Sequence, residues 1–525
     1  MRNMPQNDNR LNAAIALTRF GMGALPGEID RVAANPREWM EAQVRGSGAP
    51  LPAGAFPSST DQVEAFLAYR QDGLDSRTTR REAGTLADAA MNAPPPAGIS
   101  MQDRPDPAMS DTAAMEGNRP TDPAAQAAFD ARRDSRQALT RVAAEAFMAR
   151  AQMAATTPNG FAERWALFWA NHFTTSATKF QSAIFLDAYE REAIRPHVFG
   201  RFETLALAAE QHPAMLLYLD QAQSVGPNSM AGQRRNAGLN ENLAREIMEL
   251  HTVGSDAGYS QVDVTEFARA LTGWSIPTVR DGAGGAGRGG GRRGGARARA
   301  MAGETGRNGF VYRPLVHEPG ERMVLGRRYA DSGREQGEAV LKDLANRPET
   351  ARRLARKIAA HFVADVPPPA LVAALERAWT TSGGDLSVVA RALIAAPEAW
   401  APGPAKVKTP YEFIASAHRA FGTEPQRVQP LRQALIAMGQ PPQSAPSPEG
   451  WPDSAADWAG PDALVKRLDW SRAAAGMVQG ADPNLSAAAA LGPRLGDRTR
   501  MAVARAESRQ EAFTLFLMSP EFQRR

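Results

Sequence analysis

The densest chemistry-bearing stretch of the chain is Asn240-Glu241-Asn242-Leu243-Ala244-Arg245-Glu246-Ile247-Met248-Glu249-Leu250-His251-Thr252-Val253-Gly254, with three carboxylates, an arginine and a histidine closing one apolar-periodic segment. Solvation alone does not require that density. Two further histidine motifs, Trp169-Ala-Asn-His172-Phe and His317-Glu-Pro-Gly, stand apart from it in a chain with only seven histidines. Because the chain has no cysteine, imidazole and carboxylate are its only good metal ligands. One reading therefore has His172, Glu246, His251 and His317 holding a divalent metal for a metal-dependent hydrolase or oxidoreductase. The chain has no His-Glu-x-x-His and no Glu-x-x-His run, so this reading needs the motifs to converge in space.

A metal-free reading uses the same segment. Two carboxylates in different environments can divide acid and base roles, as in glycoside hydrolysis, which makes Glu246, Glu249 and Arg245 the candidate catalytic residues. Burial that raises the Glu246 carboxyl would support such work, whereas a salt-bridged Glu246 would not. Trp165, Trp169 and Trp274 would supply sugar-stacking surface, although tryptophan at helical spacing is usually core. The structural alternative is a salt-bridge ladder. Glu241, Arg245 and Glu249 fall at i, i+4 and i+8, and a protonated His251 suits a helix C-terminus.

Helices must position these groups. Ala-rich runs such as Ala143 to Ala155, with scarce Ile and Tyr, favour helix over strand. Trp165, Phe168, Trp169 and His172 stand at i, i+3, i+4 and i+7 of a helix over 161–173, which turns the histidine inward with the aromatic rings. The polar segment ends a helix over 239–251, with Gly254 and Gly258 in cap and turn roles. Further helices are predicted over 10–20, 36–45, 60–91, 128–156, 181–195, 200–208, 213–220 and 260–273. Beyond 334 they fall over 334–345, 348–363, 368–381, 385–395, 409–420, 427–438, 460–477 and 508–518. Phe310-Val-Tyr-Arg-Pro and Arg322-Met-Val-Leu-Gly read as the two arms of a small β-hairpin around Pro319-Gly320, with His317 in the adjoining loop. The fold class is mainly α, a single large helical domain over 1–525 with a small β-hairpin and two disordered insertions.

The first insertion, 92–126, is rich in Pro, Ala, Asp and Met without periodicity. The second, 280–302, is a Gly/Arg run with too little apolar surface to offset its ordering entropy. Six arginines and one aspartate between Arg280 and Ala300 account for the whole excess of the +4 net charge. Such a run is an inserted surface loop far more readily than a nucleic-acid contact. Arg352-Arg353-Leu-Ala-Arg356-Lys357 reads as a solvated basic helix face. No stretch reaches the roughly eighteen apolar residues of a membrane span, and the N-terminus lacks an apolar signal core. The expected compartment is cytoplasmic by default.

Many short motifs resemble those of a large bacterial family catalogued as domain of unknown function 1800. They include Arg19-Phe-Gly-Met-Gly-Ala, Trp169-Ala-Asn-His172-Phe, Gly238-Leu-Asn-Glu-Asn-Leu-Ala-Arg-Glu-Ile-Met-Glu-Leu-His and Asp263-Val-Thr-Glu-Phe-Ala-Arg-Ala-Leu-Thr-Gly-Trp274. They continue with His317-Glu-Pro-Gly, Lys406-Val-Lys-Thr-Pro-Tyr-Glu-Phe, Gly439-Gln-Pro-Pro, Gly450-Trp-Pro-Asp and Ser519-Pro-Glu-Phe. The resemblance covers nearly the whole chain outside the insertions and implies no established activity. It does imply genetic pairing with a sulfatase-like family exported through the twin-arginine route. That makes a non-catalytic binding or assembly partner of such a protein an alternative function, with a periplasmic location reached through the partner.

Overall fold

The computed structural model describes residues 4–82, 123–234, 238–279, 303–403 and 406–525. Its helices include α1 (Met4–Ile15), α2 (Ser59–Glu82), α3 (Pro123–Thr156), α4 (Gly160–His172), α5 (Phe202–Glu210), the short α6 (Asn242–Glu246) and α7 (Gln261–Leu271). They are followed by α8 (Arg334–Ala345), α9 (Pro348–Phe362), α10 (Pro369–Ser382), α11 (Leu386–Ala395), α12 (Pro410–Phe421) and α13 (Val428–Ala437). The chain closes through α14 (Pro461–Met477), α15 (Pro483–Leu491), α16 (Asp497–Ala504) and α17 (Arg509–Leu517). Local sequence explains the ends. Ser260 and Asp263 form a reciprocal capping box at the start of α7, and Thr409 and Glu412 form one at α12, where Pro410 takes a position whose N–H would be unpaired anyway.

The mainly α fold class holds, with three refinements. The two β-like runs do not pair with each other. Val311–Tyr312 (β3) lies between Trp274–Ser275 (β1) and Glu304–Thr305 (β2), whereas Arg322–Val324 (β4) turns at Leu325-Gly326 to pair with Arg327–Tyr329 (β5). The tighter Leu-Gly turn, with positive φ at both residues, closes a hairpin that Pro319-Gly320 does not. Residues 123–126, expected in the first insertion, open α3 instead, with Pro123 at the first helical position. The rest of that insertion, all of 280–302 and the end of the helix expected over 60–91 lie outside the described residues. Helices α15 and α16 were not expected, although Asp482, whose carboxylate accepts from Asn484 N and Leu485 N ahead of Pro483, is a recognisable helix start.

Apolar side chains gather into two main clusters. The larger runs from Ala13 to Trp400 and holds Trp165, Trp169, Phe173, Phe202 and Trp274. The second joins Phe147 and Ala151 of α3 to Phe413, Leu435, Phe513 and Phe522. Buried ion pairs stitch the early and late parts of the chain together, notably Arg419 with Glu28 at 2.9 Å and Arg164 with Glu412.

Candidate functional site

The polar segment does not end as a regular α-helix. After α6 the backbone widens to a π turn over Ile247–His251, so Glu246 and His251 stand one wide turn apart, out of the phase a 3.6-residue helix gives. Gly254 then stops the segment at φ 88° and ψ 160°, a region open essentially to glycine. A Cβ there would lie 2.7 Å from Cδ of Arg353. The glycine thus lets α9 close against the end of the motif.

His251 points into a sealed interior. Its Nδ1 is 2.7 Å from Oε1 of Glu210, at the end of α5, and neither side chain is exposed. Its ring packs on Phe173 and lies 5.8 Å from the His172 ring. His172, on the inward face of α4 as expected, sets Nε2 3.1 Å from the His251 carbonyl and Nδ1 3.2 Å from Nζ of Lys357. A ring nitrogen facing a carbonyl must carry the proton, so Nδ1 is the lone-pair side and accepts from the lysine. Burial, with Lys357 and His251 beside it, holds the His172 pKa well below the ordinary value. His172 is therefore neutral.

Lys357 comes from a stripe that the sequence reading placed in solvent. Arg352 and Arg356 are exposed, but Arg353, Lys357 and His361, at i, i+4 and i+8 of α9, turn toward the protein. Arg353 donates to the Leu250 carbonyl at the end of the motif. Burial, with the neighbouring Arg353 charge, lowers the Lys357 ammonium to about 8. Among the described residues no carboxylate lies within ion-pair distance of it.

Glu246 and Glu249 occupy the other, half-open side of the segment. Among the described residues neither makes a hydrogen bond or an ion pair. Burial raises the Glu246 carboxyl above its usual range; the nearby His251 opposes this and Glu249 adds to it. Burial and the Glu246 charge push the Tyr218 hydroxyl up to about 12. Arg245 is committed elsewhere, 3.1 Å from Glu241 and 3.1 Å from the Gln261 carboxamide oxygen. Glu241 also accepts from Thr265 and Gln261, both at 2.7 Å. The expected ladder thus exists between Glu241 and Arg245 and stops short of Glu249.

The third histidine motif keeps its own company. His317 Nδ1 is 2.8 Å from the Thr272 carbonyl and its ring packs on Tyr312 of β3, while Thr272 Oγ1 accepts from the Glu318 N–H at 2.7 Å. Burial lowers its pKa. The structure thus brings His172 and His251 together and ties His317 to the start of the small sheet. Among the described residues no group of three or more His, Cys, Asp or Glu is placed to hold a metal ion. The geometry shows why His172 does not serve. One ring nitrogen faces a carbonyl and the other a lysine ammonium, leaving no free lone pair. Trp165, Trp169 and Trp274 are sealed, with at most 1% exposure, and offer no face to a sugar.

Sequence reasoning missed Glu210, Lys357 and the pairing of His361 with Asp453, where Nδ1 lies 2.8 Å from Oδ2. Glu210 carried a signal, a carboxylate ending the apolar run Phe202–Glu210. So did Lys357, one turn from Arg353 and flanked by the buried Leu354 and Ile358. Asp453 lies 92 residues from His361, and no local spacing reveals that contact.

Among the described residues no helix is long and apolar enough to cross a membrane. Comparison with curated proteins and with solved structures finds no match. A family model described as "Protein of unknown function (DUF1800)" matches residues 15–524, so the chain that builds this site belongs to that family.

Proposed function

We propose that the protein is a metal-free acid–base hydrolase, with Glu246 as the proton-transferring carboxyl and Glu249 as its partner. The observation that carries this is the state of Glu246, which is half-buried, raised by burial and bound to no protein donor among the described residues. A carboxyl moved toward neutrality is a competent general acid, and a second carboxylate beside it can stay ionised. Arg353, on the facing helix, supplies positive charge near Glu249. Glycoside hydrolysis is the chemistry that two such carboxylates perform most directly. Among the described residues no group of three or more His, Asp or Glu is placed for a metal-bound version.

A panel of aryl glycosides and aryl esters, read by release of the phenol, tests the proposal. The expected result is turnover that falls as the pH rises through the Glu246 value, and that drops about 10²- to 10⁴-fold in Glu246→Gln. Turnover unchanged in a folded Glu246→Gln variant contradicts it.

A second reading draws on the His251–Glu210 pair. A sealed interior built around such an ion pair suits a binding or assembly protein that must hold its helices together, and a sulfatase-like exported protein is the partner this reading names. Under it, Glu246→Gln changes no chemistry and the partner copurifies with the folded chain.

A further inference from the structure

The pair of His361 and Asp453 borders a cavity of about 170 Å³ on another side of α9. Its lining draws on segments far apart in the chain. Asn171 comes from α4, Tyr411 from α12, Gln440 from the Gly439-Gln-Pro-Pro turn and Trp451 from Gly450-Trp-Pro-Asp. Gly450, at φ 94°, makes the closure feasible, because a Cβ there would meet the Asn171 carbonyl oxygen at 2.5 Å. The Asn171 side chain then clamps the Trp451 backbone, donating to its carbonyl at 2.9 Å and accepting from its N–H at 2.8 Å. Trp451 itself is half-buried in the cavity lining.

Charge in this cavity is compensated by the protein. Arg150 and Glu190 pair at 2.7 Å. Glu412 lies between Arg164 and Arg525, and Asp453 is met by His361, Arg525 at 3.3 Å and Lys406 at 3.6 Å. No net charge remains to attract an ionic ligand. What is left over is neutral hydrogen-bonding capacity. His361 spends Nδ1 on Asp453, and its Nε2 is buried away from the open space. Gln440 spends its oxygen on the Tyr411 N–H at 2.8 Å, leaving its NH₂ group to donate. Apolar walls from Leu167, Leu186 and Leu435 complete the space. A cavity of about 150 Å³ is enough to admit a benzene ring.

We propose that this cavity binds one uncharged, polyhydroxylated six-membered ring, a monosaccharide or cyclitol, with Trp451 against the ring face and the Gln440 NH₂ group donating to a ring hydroxyl oxygen. Neither Glu246 nor Glu249 lines it, so the proposal stands apart from the hydrolase reading. Saturation-transfer NMR and calorimetry with D-glucose and myo-inositol on the full chain test it, with acetate, inorganic phosphate and toluene as comparators. The expected result is binding of glucose or myo-inositol that weakens at least tenfold in Trp451→Ala and in Gln440→Ala. Three results would each overturn the proposal: no binding of either ring to the folded wild type, binding unchanged in both folded variants, or tighter binding of a charged or purely apolar comparator.

Discussion

Glu246 and His251 stand one π turn apart on the same segment, yet their surroundings differ completely. His251 faces inward, paired at 2.7 Å with Glu210 where neither side chain meets solvent. Glu246 faces a half-open edge with no protein partner among the described residues. The contrast shows that a dense polar motif can serve two purposes. Its inward groups hold α4, α5, α6 and α9 in register, and its outward carboxyls are the ones the proposed acid–base chemistry would use. Reading every polar residue of the motif as one site merges these roles.

The sealed side breaks most severely. Glu210→Ala leaves a buried imidazole without its partner, at a cost of about 3–5 kcal/mol, to be read as a lower denaturation midpoint. A midpoint within experimental error of wild type would remove the distinction between the two sides.

Sealed carboxylates also set the response to acid. Burial alone would raise Glu412, but Arg164 and Arg525 win and hold it far below the ordinary 4.5. A group depressed in the folded state contributes stability that is fully present above its unfolded value, and that is lost as the pH falls toward the folded one. The protein is therefore expected to lose stability below about pH 4.5, and Glu412→Gln to flatten that acid limb. Denaturant midpoints across pH 2 to 7 measure both. A raised carboxyl such as Glu246 contributes with the opposite sign, favouring the folded state at low pH.

A smaller effect comes from the hinge between the two sides. Gly254→Ala puts a Cβ against Arg353 at a backbone conformation that costs about 1–3 kcal/mol. It is expected to disturb the Arg353 to Leu250 contact before the His251–Glu210 pair, and histidine NMR shifts together with thermal melting would show the order. Smallest is Arg245→Ala. Its pair with Glu241 is partly solvated and contributes about 0–1 kcal/mol. Loss of more than that would show the ladder to be part of the sealed side.

Much of the architecture was legible because helical periodicity and caps are local. The inward turn of His172, the boundaries of α7 and α12, and the glycine stop at 254 follow from spacing and turn chemistry. The site was legible in part. The motif marked Glu246 and Glu249, but the partners that distinguish sealed from open come from α5 and α9, and the π turn shifts His251 out of the expected phase. The β-run pairing failed for a related reason. Trp274 hid at the end of a helix-like segment, and the strand opposite Val311 and Tyr312 could not be chosen without it. Long-range pairs such as His361 with Asp453 leave no periodic trace.

The most direct test of the central claim is the titration of the Glu246 carboxyl itself. It can be followed by ¹³C NMR on glutamate-labelled protein and assigned by the signal lost in Glu246→Gln. A midpoint above the ordinary 4.5 is the predicted result, an open carboxyl raised by burial and free to move a proton. A midpoint at or below 4.5 would mean that Glu246 is held ionised by a partner, and would contradict the division of the motif into a sealed and a working side.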